Sequence, residues 1–246
     1  VLLNRLMAFL RVNKAFVADC LIPGPTLAFE NRYHMRCAVN WLAAAQDATP
    51  DAGVSGGYSL REGWEISYPE TTGYIIPTLL NYFHLTGQEA WRDRATQMAD
   101  WLLSAQLADG AFALASDVAT PVVFDTGQVV LGLVSAFREM GVEQYLDGAA
   151  RAGRWLVSIQ EPTGVWLRHS YGGIRHAYHT RVAWALLELY RESGDSELLV
   201  ASGRNLSWAM TQQLGNGWFQ NNAFSSGEFP SLHTIAYAAR GLLEAG

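Results

Sequence analysis

The ionisable side chains most able to do chemistry stand at recurring points of a largely apolar sequence. Glu70, Asp125, His179 and His233 each lie one or two positions ahead of a threonine that opens an apolar stretch. A pair of carboxylates such as Glu70 and Asp125 suits general acid–base work at a glycosidic bond. Imidazole, ionising near neutrality, suits removal of a proton beside a carboxylate, with Tyr178 or His179 as the base. The densest cluster is Trp166, Arg168, His169, Tyr171, Arg175, His176, Tyr178 and His179. Two arginines and three histidines on an acidic chain point to an anionic ligand, because the planar guanidinium fork matches a carboxylate or a phosphate. Arg175 is the expected neutraliser of that charge. The aromatic faces of Trp166 and Tyr171, with Tyr58 and Trp64, suit the apolar faces of sugar rings. Trp218, Asn221 and Asn222 would bind sugar hydroxyls, although asparagine also favours turns.

The elements that must position these groups follow from an internal repeat. Trp-x4-Gln recurs at Trp41/Gln46, Trp101/Gln106, Trp155/Gln160 and Trp208/Gln213, and a threonine recurs every 54 residues at Thr72, Thr126, Thr180 and Thr234. Each unit reads as two helices. The first opens near the threonine, whose hydroxyl is a candidate N-cap, and is apolar around most of its circumference, as in Thr126–Met140. The second, such as Glu143–Gln160, carries a single apolar stripe. Gly87, Gly141 and Gly194 fall where a left-handed C-terminal cap is expected. One helix buried on all sides and one striped helix per unit imply two concentric layers, an all-α, α/α toroid.

Turns from inner to outer helix are short, whereas the returns run near twenty residues. Loops of that length in a compact domain are usually functional. All of them emerge at the N-terminal end of the inner helices, so the polar residues above would rim one cavity, with Tyr74 and Gln128 on its floor. A ring of this kind needs six hairpins and the period supplies about four and a half. The expected layout is a lead-in over 1–32 and a toroid domain over 33–246, incomplete at its C-terminal side, as a fragment or as a ring closed by a partner domain or chain.

The run Trp155-Leu156-x3-Gln160-x3-Gly164-x-Trp166 resembles the QW motif of squalene and hopene cyclases, and Trp101-Leu102-x3-Gln106-x3-Gly110-x-Phe112 follows it closely. In that family the glutamine ties a helix end to the next unit and the aromatic packs between neighbours. The cyclase chemistry is not implied, because the Asp-x-Asp-Asp acid run is missing, and the Asp, Cys, His zinc set of protein prenyltransferases is missing too. The phrases Gly57-Tyr58-Ser59-Leu60 and Ser67-Tyr68-Pro69-Glu70-Thr71-Thr72-Gly73-Tyr74 resemble helical-toroid proteins of bacterial polysaccharide clusters, relatives of glucuronyl epimerase C-terminal domains and six-hairpin glycosidases.

Composition narrows the classes further. With 23 acidic against 17 basic residues (net −6), a basic nucleic-acid footprint is missing. No apolar run reaches the roughly 20 residues of a membrane span, and Val1–Val17 reads as an amphipathic helix. Two cysteines, Cys20 and Cys37, make no disulfide framework. His169, His176 and His179 with Asp125 would make a nominal ligand set, but their spacing is that of no recognised zinc motif, so no metal or other cofactor is expected. The compartment is the cytoplasm, or the periplasm if a signal peptide has been removed. The resulting expectation is a protein acting on an acidic, uronate-containing polysaccharide by epimerisation, elimination or hydrolysis. The alternatives are a non-catalytic saccharide-binding module and, last, a terpenoid cyclase.

Overall fold

The structure, a computed structural model, describes residues 6–7, 9–14, 30–114 and 117–246. The chain folds as two compact units, Val1–Tyr68 and Pro69–Gly246. In the first, residues 6–7 and 9–14 are helical; the remainder of the expected amphipathic helix, and Cys20, lie outside the described residues. Helix α1 (Asn31–Asp47) leads to a two-stranded antiparallel hairpin, β1 (Tyr58–Ser59) and β2 (Gly63–Trp64), with Tyr58 opposite Trp64. Trp41, on α1, packs its ring 4.8 Å from Trp64 and 5.8 Å from Tyr58. Trp41 is thus half exposed in an aromatic patch rather than buried as the first QW tryptophan. Cys37 is an exposed free thiol.

The second unit repeats a helical hairpin: α2 (Pro69–Thr86) with α3 (Glu89–Ala105), α4 (Val123–Met140) with α5 (Glu143–Ser158), α6 (Thr180–Ser193) with α7 (Ser196–Met210), and then α8 (Leu232–Ala245). Each of α2, α4, α6 and α8 packs on the next, and each of the first three pairs with its own outer helix. Burial separates the layers. On α4, twelve of 18 residues are buried, among them an unbroken run from Asp125 to Val134 that covers every side of the helix. On α5 the buried residues Tyr145, Gly148, Ala149, Ala152, Gly153, Trp155 and Leu156 keep to one side, which marks an outer helix.

The inner helices approach closely where glycine removes the side chain. A Cβ on Gly132 of α4 would overlap the carbonyl of Gly73 on α2. Four residues after Gly73 comes Pro77, which has no N–H to cap that carbonyl within the helix. The proline and the two glycines therefore belong to one helix–helix contact. The chain reverses at Gly141 and Gly194, left-handed at φ 67° and 69°, as expected of C-terminal caps.

The repeated glutamines hold the units together. Gln106 Nε2 donates to Gly110 O (2.9 Å) and to Gly148 O of the next outer helix (2.8 Å). Gln160 Nε2 repeats this with Gly164 O (3.2 Å) and Ala201 O (2.9 Å). Phe112 and Trp166, the motif aromatics, are completely buried. The fourth copy differs: Gln213 Nε2 reaches only Gly217 O at 3.5 Å, and Trp218 is 44% exposed. The threonines are ties rather than N-caps. Thr126 Oγ1 donates to Val122 O and accepts from Phe112 N, and Thr180 Oγ1 donates to Ala238 O of α8. Their hydroxyls thus serve neighbouring segments, and no side-chain cap stands ahead of α4 or α6.

Candidate functional site

The site grows from the first turns of the inner helices. Glu70 lies half-buried in the first turn of α2 and Asp125 is 3% exposed in the first turn of α4. An acid in a first turn is favoured by the helix dipole, which accounts for tolerance of the charge there. Both carboxylates act on Tyr178: burial, then Asp125, then Glu70 hold its hydroxyl well above the ordinary tyrosine range. Burial and then Glu70 likewise push up Tyr74 on α2 and Tyr237 on α8. Phe124 joins the cluster, 5.4 Å from Tyr178 and 5.1 Å from Tyr237.

His233 is exposed at the start of α8, with Nδ1 3.0 Å from Ser231 Oγ and its ring 5.6 Å from Tyr237. Phe224, from the loop before α8, lies 5.1 Å from His233, 5.9 Å from Tyr178 and 5.4 Å from Tyr171. Among the five expected chemical residues, Tyr178 and His233 share Phe224 as a ring neighbour, and Glu70 and Asp125 stand in first turns and raise Tyr178, which marks this group of rings as the candidate mouth.

His179 does not reach it. It is 1% exposed, packed against Trp166, His176 and Tyr178, and its Nε2 has no hydrogen-bond partner among the described residues. Burial, then His176, lowers its pKa well below the usual value. His176 is also buried, its nitrogens facing Ala223 O (3.0 Å) and Tyr171 O (2.8 Å), and burial lowers it as well. His176 thereby stitches the loop ahead of α6 to the loop ahead of α8. Trp166 is completely buried and donates Nε1–H to Leu156 O at 2.9 Å, so it has no face to offer a sugar.

The remaining expected binders divide between places. His169 sits at φ 61°, accepts Val123 N–H on its carbonyl and rests 5.6 Å from Trp155. Arg168 is exposed. Arg175, Trp218, Asn221 and Asn222 line a separate cleft of about 440 Å³ between the two loops. There the Asn221 side chain bonds Gln212 and its carbonyl accepts Ala177 N–H. Tyr58 and Trp64 belong to the first unit. Among the described residues, no group of three or more His, Cys, Asp or Glu is placed to hold a metal ion.

Below the mouth, a cavity of about 310 Å³ runs between the four inner helices. Its walls include Tyr74, Arg181, Trp184, Arg138, Glu188 and Arg240. Arg181 is 7% exposed and gives Nε–H to Gln128 Oε1 at 2.5 Å. Its guanidinium carbon lies 4.9 Å from the Tyr237 ring centre, 5.6 Å from Trp184 and 5.9 Å from Tyr74. Tyr74 and Gln128 are the expected floor, whereas Arg181, Trp184, Phe124, Phe224 and Tyr237 are not foreseen as site residues. Arg181 carries the one discernible signal, a charge immediately after the repeat threonine, where the other units have Gly73, Gly127 and Ile235.

Comparison with known proteins agrees with this architecture. The model of the squalene-hopene cyclase C-terminal domain matches residues 66–241. An unsaturated glucuronyl hydrolase specific for heparin superposes with a TM-score of 0.62 at 15% identity, over 77% of this chain and 50% of its own. The α-mannanase of glycoside hydrolase family 76 from Bacteroides thetaiotaomicron gives 0.61 at 11% identity, over 98% and 67%. A protein from Listeria innocua gives 0.64 at 13%, over 99% and 67%. The chain spans half the length of the first of these and about two thirds of the other two, and at such identities the likeness is one of fold. No curated protein sequence matches the chain.

Proposed function

The chain belongs to the squalene-hopene cyclase C-terminal domain family, and from that premise we propose that it is a saccharide-cleaving enzyme rather than a terpenoid cyclase. An isoprenoid cavity would be aromatic and nearly uncharged, whereas this mouth gathers Glu70, Asp125 and His233 among its rings. What supports the reading is the placing of Glu70 and Asp125 in the first turns of adjoining inner helices, where both raise Tyr178. Glu70, the more accessible carboxyl, protonates the departing glycosidic oxygen. Asp125, nearly closed off, takes a proton from the water that attacks the anomeric carbon, a nucleophile small enough to enter. Phe124, Tyr237 and Phe224 supply apolar faces for the sugar.

Hydrolysis fits better than epimerisation or elimination at a uronate. Those reactions need a base beside the sugar carbon, and the two foreseen bases are unsuited. His179 is sealed behind Trp166 and Tyr178, and the Tyr178 hydroxyl keeps its proton under two neighbouring carboxylates. The hydrolase names among the structural relatives support the same choice. The test is incubation with neutral and acidic oligosaccharides in ¹⁸O-labelled water. Label at the new anomeric carbon is the expected result; unsaturated ends, or deuterium uptake at the sugar in heavy water without cleavage, would overturn it.

A further inference from the structure

The axial cavity holds three arginines, and two are already matched. Arg138 donates to Glu188 and Glu192, each at 2.6 Å, and Arg240 lies 3.4 Å from Glu244. Arg181 is the exception. It is the most buried of the three, yet among the described residues its only hydrogen bond is the one from Nε to neutral Gln128, and no carboxylate forms an ion pair with it. A buried cation without a counter-charge is costly, and three ring faces offset that only in part. Arg181 lines the 310 Å³ cavity, and with Nε engaged by Gln128 its two Nη groups are the donors left for a ligand there.

The geometry points to Arg181 as the receptor for the carboxylate of an acidic sugar residue bound in the axial cavity. The inference rests on the saccharide reading above and names its substrate class. With Nε–H committed to Gln128, the two Nη groups present a planar pair of donors that matches the two oxygens of a carboxylate. One uncompensated cation calls for one negative charge; a phosphate monoester, carrying about −1.5 to −2, would exceed it beside Glu70. The cavity lies at the small end of ligand pockets, which run from about 300 to 1,000 Å³, and so accommodates the end of a chain. Glu70 stands one turn from Tyr74 on α2, which places the proton donor at the mouth and the carboxylate receptor beneath it. Arg175, the arginine favoured by sequence, lines the other cleft.

The experiment measures binding of glucuronate, glucose and glucose 6-sulfate to the full chain by tryptophan fluorescence, Trp184 being a close reporter. Glucuronate is expected to bind about 10- to 100-fold tighter than glucose, as for a charged hydrogen-bonded pair. Arg181→Met should erase that preference while leaving glucose binding intact. The change also takes the donor from Gln128 Oε1, so a thermal melt run beside each titration separates loss of the receptor from loss of the fold. Arg181→Lys, which keeps the charge and loses the fork, should fall between. Retention of the preference in Arg181→Met, a preference for the sulfate ester, or no binding of any of the three overturns the inference. Glu70-dependent cleavage of neutral oligosaccharides with no Arg181-dependent preference would sink this inference and leave the hydrolase reading standing. Arg181-dependent glucuronate binding without ¹⁸O incorporation would do the reverse.

Discussion

Arg181 is held by Gln128, its Nε 2.5 Å from the amide oxygen, although the two residues lie 53 positions apart on neighbouring inner helices. Gln128 is fully buried, so the guanidinium plane is set by the core and not by solvent. That bond links the packing of α4 and α6 to the chemistry proposed for the cavity, and it gives the variants below a rigid frame.

Removing the proton chemistry should leave the fold in place. Glu70→Gln and Asp125→Asn are each expected to lower kcat about 10²- to 10⁴-fold, with KM little changed. Steady-state kinetics on a cleaved oligosaccharide, beside thermal melts, checks both parts. A loss confined to KM would remove either residue from the acid–base pair.

Phe224 should act through binding alone. It faces Tyr171, Tyr178 and His233 and carries no titratable group. Phe224→Ala is expected to raise KM about tenfold, the equivalent of roughly 1.4 kcal/mol of lost contact, with kcat near wild type.

Two glycine-to-alanine changes should move stability in opposite directions. At Gly132 the new methyl would meet the Gly73 carbonyl, and the backbones cannot separate without opening the α2–α4 contact. A loss of about 3 kcal/mol is expected from such overpacking. At Gly203, within α7, no atom lies within 4 Å, and alanine should stabilise by about 0.5–1 kcal/mol through helix propensity. Urea denaturation measures both.

Acid should weaken the fold before it protonates the carboxylates. His176 and His179 are held neutral, with pKa values lowered chiefly by burial. The unfolded chain therefore binds protons that the folded one refuses, once pH drops below about 6.5. Their contribution is complete above that pH and is lost as pH falls toward the folded-state values, by about 1.4 kcal/mol per pH unit for each histidine. His179→Phe, which keeps a ring among Trp166, His176 and Tyr178, should flatten the slope between pH 6.5 and 5. An unchanged slope would show that His179 protonates freely in the folded state.

The architecture was legible because a repeat writes itself several times. Gln106 and Gln160 sit in one phase and make the same pair of bonds, and Gly141 and Gly194 take the same left-handed cap. The candidate site is legible where chemistry coincides with phase, in that Glu70 and Asp125 both open inner helices. It was misread where one-dimensional density stood in for direction. Trp166 shares its repeat position with Phe112 and is buried for the same reason. His176 and His179 lie three residues apart beside exposed Arg175, yet they turn inward, one engaging two backbone carbonyls and the other packing among rings. Arg181 was passed over because a lone charge within an apolar helix reads as surface until its neighbours are known. Phe224 becomes a neighbour of Tyr178, and Tyr237 of Phe124, only through the return of the chain after α7.

The first two complete glutamine motifs have a bearing on how strain would spread through the wall. Gly110 and Gly164 each offer a carbonyl to the motif glutamine and lie so near the following outer helix that a Cβ would meet the carbonyls of Arg151 and Arg204. Each of these return loops is therefore pinned at its root to the hairpin that comes after it. A displacement of one outer helix must drag the loop before it, so neighbouring hairpins answer a disturbance jointly rather than one at a time.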